Sequence, residues 1–162
     1  MTNIINALVD NTPGVLARIV GLISGRGYNI ETLNVGPTHD PNVSKMTFTV
    51  RGDEQVITQV IAQLRKQINV LAVTNVTSRP HIDRELILVE VACTSKSRAE
   101  LMEIATIFKA RIVGVTETSL TIQMAGNRDT VRDFFALLKH HRILDISRSG
   151  VIAVLRDGSS VF

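Results

Sequence analysis

Residues 9–31, VDNTPGVLARIVGLISGRGYNIE, have the residue types of a small-anion site: a Pro-Gly turn leads into an apolar helix that further glycines end. A phosphate loop requires Lys and then Ser or Thr after its last glycine, and a dinucleotide fingerprint requires three glycines that open a helix. Here Gly14 opens the helix alone, and Gly25 and Gly27 follow it. The pattern argues against a nucleotide cradle. Because backbone N–H groups at a helix start are unpaired and the helix dipole favours negative charge, residues 11–16 still suit a carboxylate.

The same turn also has a purely structural interpretation. Thr12 is a good N-cap and Pro13 is favoured at the first helical position, so the residues predict a helix that starts at Pro13. A turn and cap of this kind need no ligand. The residues alone leave both interpretations open.

Patterns for catalysis or metal binding are missing from the sequence. Cys93 is the single cysteine, which excludes an internal disulfide and a CxxC knuckle, and its apolar surroundings predict a buried thiol. The histidines lack metal-ligand spacing, and His140 and His141 follow a predicted helix, where surface positions are expected. No Ser/His/Asp order or carboxylate pair indicates hydrolysis. We predict no catalytic residue, metal or cofactor in this chain.

The composition restricts the class of partner. Aromatic residues make up 4% of the 162 residues, with no tryptophan, so a stacking surface for RNA is missing. The net charge of +3 permits an acidic partner without requiring one. The longest apolar runs are too short to span a membrane, and the N-terminus does not resemble a secretory signal. We therefore expect a cytoplasmic protein that binds neither nucleic acid nor membranes.

The apolar pattern predicts one order of elements, β-α-β-β-α-β, twice in succession. In the first half the predicted strands are residues 3–9, 29–36, 45–51 and 70–76, and Asp53 caps the second helix. After a break around Pro80, the predicted helices start at a Ser97–Glu100 capping box and at Asn127. Such units predict an α+β protein of two tandem ferredoxin-like domains, residues 1–78 and 79–162.

Three stretches carry a resemblance to a known family. They are DNTPGVL with RGYNIE, then VGPTHDPNVSKMT, and RELILVEV at the start of the second half. The first stretch is typical of ACT domains in many amino-acid sensors, and the other two are specific to one family. Over its whole length the chain resembles the small regulatory subunits of acetohydroxyacid synthase (acetolactate synthase) in their bacterial single-copy form, with an N-terminal ACT domain.

The resemblance implies a regulatory protein that has no chemistry of its own. Such subunits bind a large catalytic subunit, which holds thiamine diphosphate, FAD and Mg2+ and condenses two pyruvates, or pyruvate with 2-oxobutyrate. They raise its activity and confer feedback inhibition by valine in branched-chain amino-acid synthesis. Their ACT domains pair side by side as a homodimer, so that two four-stranded sheets join and the effector lies at the interface.

The resemblance also implies the residues of a valine site. Backbone N–H groups of Gly14, Val15 and Leu16 face the valine carboxylate, and the Asn11 side chain contacts the polar end of the amino acid. Two residues of the neighbouring protomer close the pocket. The site residues are Asn11, Gly14, Val15 and Leu16 from one protomer and Asn29 and Ile30 from the other. Ala17 stands where relatives often have serine, which removes one hydroxyl near the rim and leaves the backbone donors intact.

Two rival functions fit part of the sequence. A stand-alone ACT-type amino-acid sensor that acts on a transporter or transcription factor would share the turn, but it would not need RELILVEV in its second half. A small ferredoxin-like enzyme would show turnover as the isolated chain.

Overall fold

The first compact unit of the chain is a four-stranded antiparallel sheet with two helices packed on one face. The computed structural model describes residues 2–156 and 158. The first unit comprises those described residues that lie up to Ile82 or from Gly150 onward. Its elements are β1 (Thr2–Asp10), α1 (Val15–Ser24), β2 (Ile30–Pro37), β3 (Val43–Arg51), α2 (Glu54–Arg65) and β4 (Val70–Asn75). The strand order is β2-β3-β1-β4, so β2 and β4 form its edges.

Alternation along the strands explains this packing. In β1, Ile5, Ala7 and Val9 point to the same face and join the apolar sides of both helices in one buried core. Phe48 on β3 is fully buried in the same core. Apolar side chains therefore fill the space between this face of the sheet and the two helices.

The second compact unit, Asp83–Ser149, repeats the architecture. Its elements are β5 (His81–Ala92), which starts just before the unit, α3 (Ser95–Ile107), β6 (Arg111–Val115), β7 (Ser119–Gly126), α4 (Arg128–Leu138) and β8 (Ile143–Arg148). The strand order is β6-β7-β5-β8, and Leu101, Phe134 and Leu138 of the helices pack on the buried side chains of β5 and β7. The predicted fold class, α+β with two tandem ferredoxin-like domains, is confirmed.

Three helix starts can be compared with their predicted caps. Asp53 accepts a hydrogen bond from the Val56 N–H at 2.9 Å, and Asn127 caps α4 in the same way. The predicted start of α3 at Ser97 is wrong, because Thr94 is the N-cap and Ser97 is the third helical residue of the capping box. Ser97 takes the place of the usual Glu or Gln at this position, because its hydroxyl oxygen accepts a hydrogen bond from the Thr94 N–H at 2.9 Å.

A short segment near the end of the chain covers the helix-free face of the first sheet. It contains β9 (Ile152–Leu155). Val151 and Ala153 are buried in a small cluster with Ile4 and Val76. Part of the helix-free face of the first sheet is therefore covered as well.

Polar side chains of the first sheet hold this segment through one carbonyl group. The Ala153 carbonyl accepts from Asn6 Nδ2 at 3.0 Å and from Lys45 Nζ at 3.2 Å, and burial lowers the pKa of Lys45. Asn6 Oδ1 in turn accepts from the Thr47 hydroxyl at 2.8 Å. The division into an ACT domain of residues 1–78 and a second domain of residues 79–162 stays a prediction, but the segment after Ser149 packs within the first unit.

We expect the Val151→Ala substitution to lower the free energy of unfolding of the first unit by about 2 kcal/mol, because it removes two buried methyl groups and leaves a cavity. Hydrogen exchange of β1 amides measures this change. Val154→Ala is the matched control, since Val154 is 52% exposed and Val151 is 3% exposed. Equal effects of the two substitutions would contradict the burial of the segment.

Candidate functional site

The turn that precedes α1 differs from the predicted helix start. The Thr12 carbonyl accepts a long hydrogen bond from the Val15 N–H at 3.4 Å, and Gly14 between them has φ 84° and ψ −13°. Pro13 and Gly14 thus occupy the central positions of a type II β-turn, in which the second central residue requires positive φ. The predicted helix start at Pro13 with a Thr12 cap is wrong, because Gly14 is left-handed and α1 starts at Val15.

The later helix start changes which backbone donors are available. The Arg18 N–H makes the first helical bond, to the Gly14 carbonyl at 3.0 Å, so the N–H groups from Gly14 to Ala17 have no helical acceptor. The Val15 N–H already makes the long hydrogen bond to the Thr12 carbonyl within the turn. Leu16 is 43% exposed and Val15 is buried, so Val15 offers a ligand no side-chain contact. The sequence interpretation missed the Ala17 N–H, which follows from the register of α1.

Charges around the turn favour an anion. The first turn of α1 contains no acidic residue, and its N-terminal end carries the positive end of the helix dipole. The Asp10 carboxylate, just before the turn, accepts from Asn69 Nδ2 at 2.9 Å. Asn69 Oδ1 accepts from the Arg18 guanidinium, also at 2.9 Å. Asn69 therefore links the nearest acid in the sequence to the cationic side chain of Arg18.

Asn11 is held by the connection between β2 and β3. Its backbone N–H donates to the Asn42 carbonyl at 2.7 Å, and its Nδ2 donates to the Pro41 carbonyl at 2.8 Å. The side chain is exposed, so it is oriented by these bonds while it faces solvent.

The second group of predicted site residues follows the end of α1. Gly27, at φ 78°, donates to the Ser24 carbonyl at 3.0 Å, and Tyr28 donates to the Ile23 carbonyl at 3.3 Å. This Schellman arrangement ends the helix. It leaves Asn29 exposed immediately before β2.

Within one chain, the two groups of site residues lie at opposite ends of the sheet. Asp10, next to the turn, is level with Val43 on β3, whereas Ile30 is level with Val50. Positions 43 and 50 are about 23 Å apart along an extended strand. The structure therefore brings Asn11, Gly14, Val15 and Leu16 together, and it keeps Asn29 and Ile30 away from them.

Other candidate groups are structural. In the described part of the chain, no three His, Cys, Asp or Glu side chains are grouped so that they could hold a metal ion, and Cys93 is buried as expected. The surface position predicted for His141 is wrong: its side chain is 8% exposed, with Nε2 3.5 Å from the Glu100 carboxylate. None of the helices among the described residues has both the length and the apolar character needed to cross a membrane.

Comparisons with known proteins agree over the whole chain. The family model described as "AHAS small subunit-like ACT domain" matches residues 5–72, and "Small subunit of acetolactate synthase" matches residues 84–157. The acetolactate synthase small subunit of Haemophilus influenzae is 42% identical over 99% of each chain. That of Aquifex aeolicus is 43% identical over 97% of this chain and 82% of its own.

A solved structure supports the same assignment. The crystal structure of the acetolactate synthase small subunit from Thermotoga maritima matches with a TM-score of 0.84 and 29% identity, and the match covers 96% of this chain and 98% of that one. The resemblance noted in the sequence is thereby confirmed at the level of sequence and fold. Family models match both halves of the chain, and the two relatives are more than 40% identical over nearly the whole of it. This chain therefore belongs to the family of acetolactate synthase small subunits.

Proposed function

We propose that this chain is the regulatory subunit that binds and activates the catalytic subunit of acetolactate synthase and makes it sensitive to feedback inhibition by valine. In this proposal thiamine diphosphate, FAD and Mg2+ belong to the catalytic subunit, and the complex works in the cytoplasm. The observation that carries the proposal is the separation of the site residues: the turn at Asn11 and the residues at Asn29 stand at opposite ends of one sheet. A second copy of the chain would complete the site.

A homodimer through the β2 edges would supply the missing half. β2 is an edge of the sheet, and its Val35 is 39% exposed. Antiparallel pairing of two β2 strands over their full length would place Ile30 of a second copy beside Pro37. Pro37 is level with Ser44, which is level with Val9, so Asn29 of the second copy comes to the end of the sheet where the Asn11 turn lies. The joined sheet has eight strands.

Valine suits the chemistry of such a shared site. Its carboxylate needs N–H donors, which the start of α1 offers, and its ammonium needs oxygen acceptors, which asparagine amides offer. Ile30, half-buried against the core, would provide an apolar wall. Burial of the isopropyl group would contribute about 1.5–3 kcal/mol to binding.

Reconstitution with the catalytic subunit tests the proposal. We expect the wild-type chain to raise acetolactate formation and valine to reverse that increase. Asn11→Ala and Asn29→Ala should each abolish valine inhibition and leave activation largely intact, because both residues are exposed and lie outside the buried core. Activity assays with valine titration, together with calorimetry of the small subunit, measure both properties.

Asn127→Ala is the matched control. It removes an asparagine that caps α4 in the other unit, so it should cost about 1 kcal/mol of stability and leave the valine response unchanged. Unchanged valine affinity in both Asn11→Ala and Asn29→Ala would refute the site. A chain that binds valine but does not co-purify with the catalytic subunit would instead be a stand-alone sensor, and acetolactate made by the isolated chain would overturn the regulatory role.

A further inference from the structure

The connection between β2 and β3, residues 38–42, is a compact turn that closes on Asp40. This stretch, THDPN, belongs to a family-specific motif of the sequence, yet none of its residues is among the predicted site residues. Asp40 Oδ1 accepts from the Asn42 backbone N–H at 2.9 Å and from Asn42 Nδ2 at 3.1 Å. The Asp40 carbonyl accepts from the Val43 N–H at 3.0 Å. Asp40 thus fixes both the backbone and the side chain of Asn42.

Further hydrogen bonds make the same turn rigid at its start. The Thr38 N–H donates to the Val43 carbonyl at 2.9 Å, and the Thr38 hydroxyl bonds both the Asp40 N–H at 3.2 Å and the Asp40 carbonyl at 3.1 Å. Pro41 follows Asp40, and its ring fixes its φ angle. The Pro41 and Asn42 carbonyls therefore have set directions.

Both of those carbonyls are used to hold Asn11. The Asn42 carbonyl accepts from the Asn11 backbone N–H at 2.7 Å, and the Pro41 carbonyl accepts from Asn11 Nδ2 at 2.8 Å. These are short bonds for N–H donors. Because a carbonyl accepts only from the amide nitrogen, the orientation of the Asn11 amide is determined, with Nδ2 toward the turn and Oδ1 away from it.

We propose that Asp40 is a positioning residue of the effector site, which acts through the 38–42 turn to hold the Asn11 amide with Oδ1 presented to the ammonium group of an amino acid. The proposal rests on the proposed function, since it needs an amino-acid effector at Asn11. The carboxylate of that effector has separate donors at the start of α1, which leaves the ammonium as the group that needs an oxygen. Asp40 itself does not touch the ligand.

Substitution of Asp40 in the full-length chain tests this role. Asp40→Ala removes the acceptor that fixes Asn42, and we expect it to weaken valine binding about tenfold, the contribution of about one hydrogen bond. Asp40→Asn keeps an oxygen that accepts from the Asn42 N–H, so its valine affinity should stay within about threefold of wild type. Calorimetry with valine measures both values.

Asp53→Ala provides the matched control. Asp53 also accepts a backbone N–H bond at 2.9 Å, but it caps α2 and does not contact the 38–42 turn, so its removal should lower thermal stability without weakening valine binding. The positioning role is overturned if Asp40→Ala binds valine as wild type does, if Asp53→Ala weakens binding equally, or if Asp40→Asn gives no rescue. If the wild-type chain binds no valine, the proposed function fails and the role of Asp40 fails with it. If the wild type binds valine and only the variants depart from expectation, the role of Asp40 fails by itself.

Discussion

We expect dimers made from one Asn11→Ala chain and one Asn29→Ala chain to recover about half of the wild-type number of valine sites, although each variant alone should have none. In a two-fold dimer with shared sites, each pocket takes Asn11 from one chain and Asn29 from the other. A mixed dimer therefore has one pocket with both asparagines and one pocket with neither. Within one chain the two residues stand at opposite ends of the sheet, so a pocket that contains both asparagines must take them from two different chains.

Co-expression of the two variants with different affinity tags yields the mixed dimer, and calorimetry measures the number of valine molecules bound for each pair of chains. Each variant expressed alone is the control. A mixed dimer that binds no valine would show that the residues act within one chain, and binding by either variant alone would show that its asparagine is dispensable. The inhibition of the reconstituted enzyme should follow the number of intact sites.

The order of elements was predictable from the sequence because each unit follows strong local rules. Alternation in β3 and β7, and the side-chain caps Asp53 and Asn127, depend on neighbouring residues only. The proposed site residues come from the resemblance carried by the motif, and their role in binding stays a prediction. Their separation in space was not predictable, since it follows from the pairing of β1, β2 and β3 and not from any local pattern.

Two features escaped prediction for different physical reasons. Proline is favoured both at the first helical position and at the second position of a type II turn. Gly14 distinguishes the two, because its positive φ fits the third position of the type II turn and not a helix. A Pro-Gly pair is itself a signal for that turn. The burial of Ala153 had no local signal, because its partner Asn6 is 147 residues away along the chain.

We expect Arg148→Met to lower the free energy of unfolding of the second unit by about 3 kcal/mol, because it leaves a buried carboxylate without its counter-charge. The side chain of Glu85, in the RELILVEV motif, is 2% exposed, and it accepts two bonds from the Arg148 guanidinium, at 2.9 Å to Nε and 2.7 Å to Nη2. The Arg148 guanidinium also lies 6.0 Å from the centre of the Phe135 ring. The bond to Glu85 raises the pKa of Arg148, so the stabilisation that this shift represents is fully present below the ordinary arginine pKa and is lost only as the pH rises through the raised value.

Denaturant unfolding and hydrogen exchange of β5 and α4 amides measure the loss. Arg148→Lys keeps the charge but not the two-pronged geometry, so it should lie between wild type and Arg148→Met. The double variant Glu85→Leu/Arg148→Met should recover most of the stability, because replacing both members of a buried pair with apolar side chains is often nearly neutral. If the double variant is as unstable as Arg148→Met, the loss comes from packing of the arginine stem on Phe135 and not from the unpaired carboxylate. Recovery would explain the glutamate in RELILVEV as a charge that the second unit buries only together with Arg148.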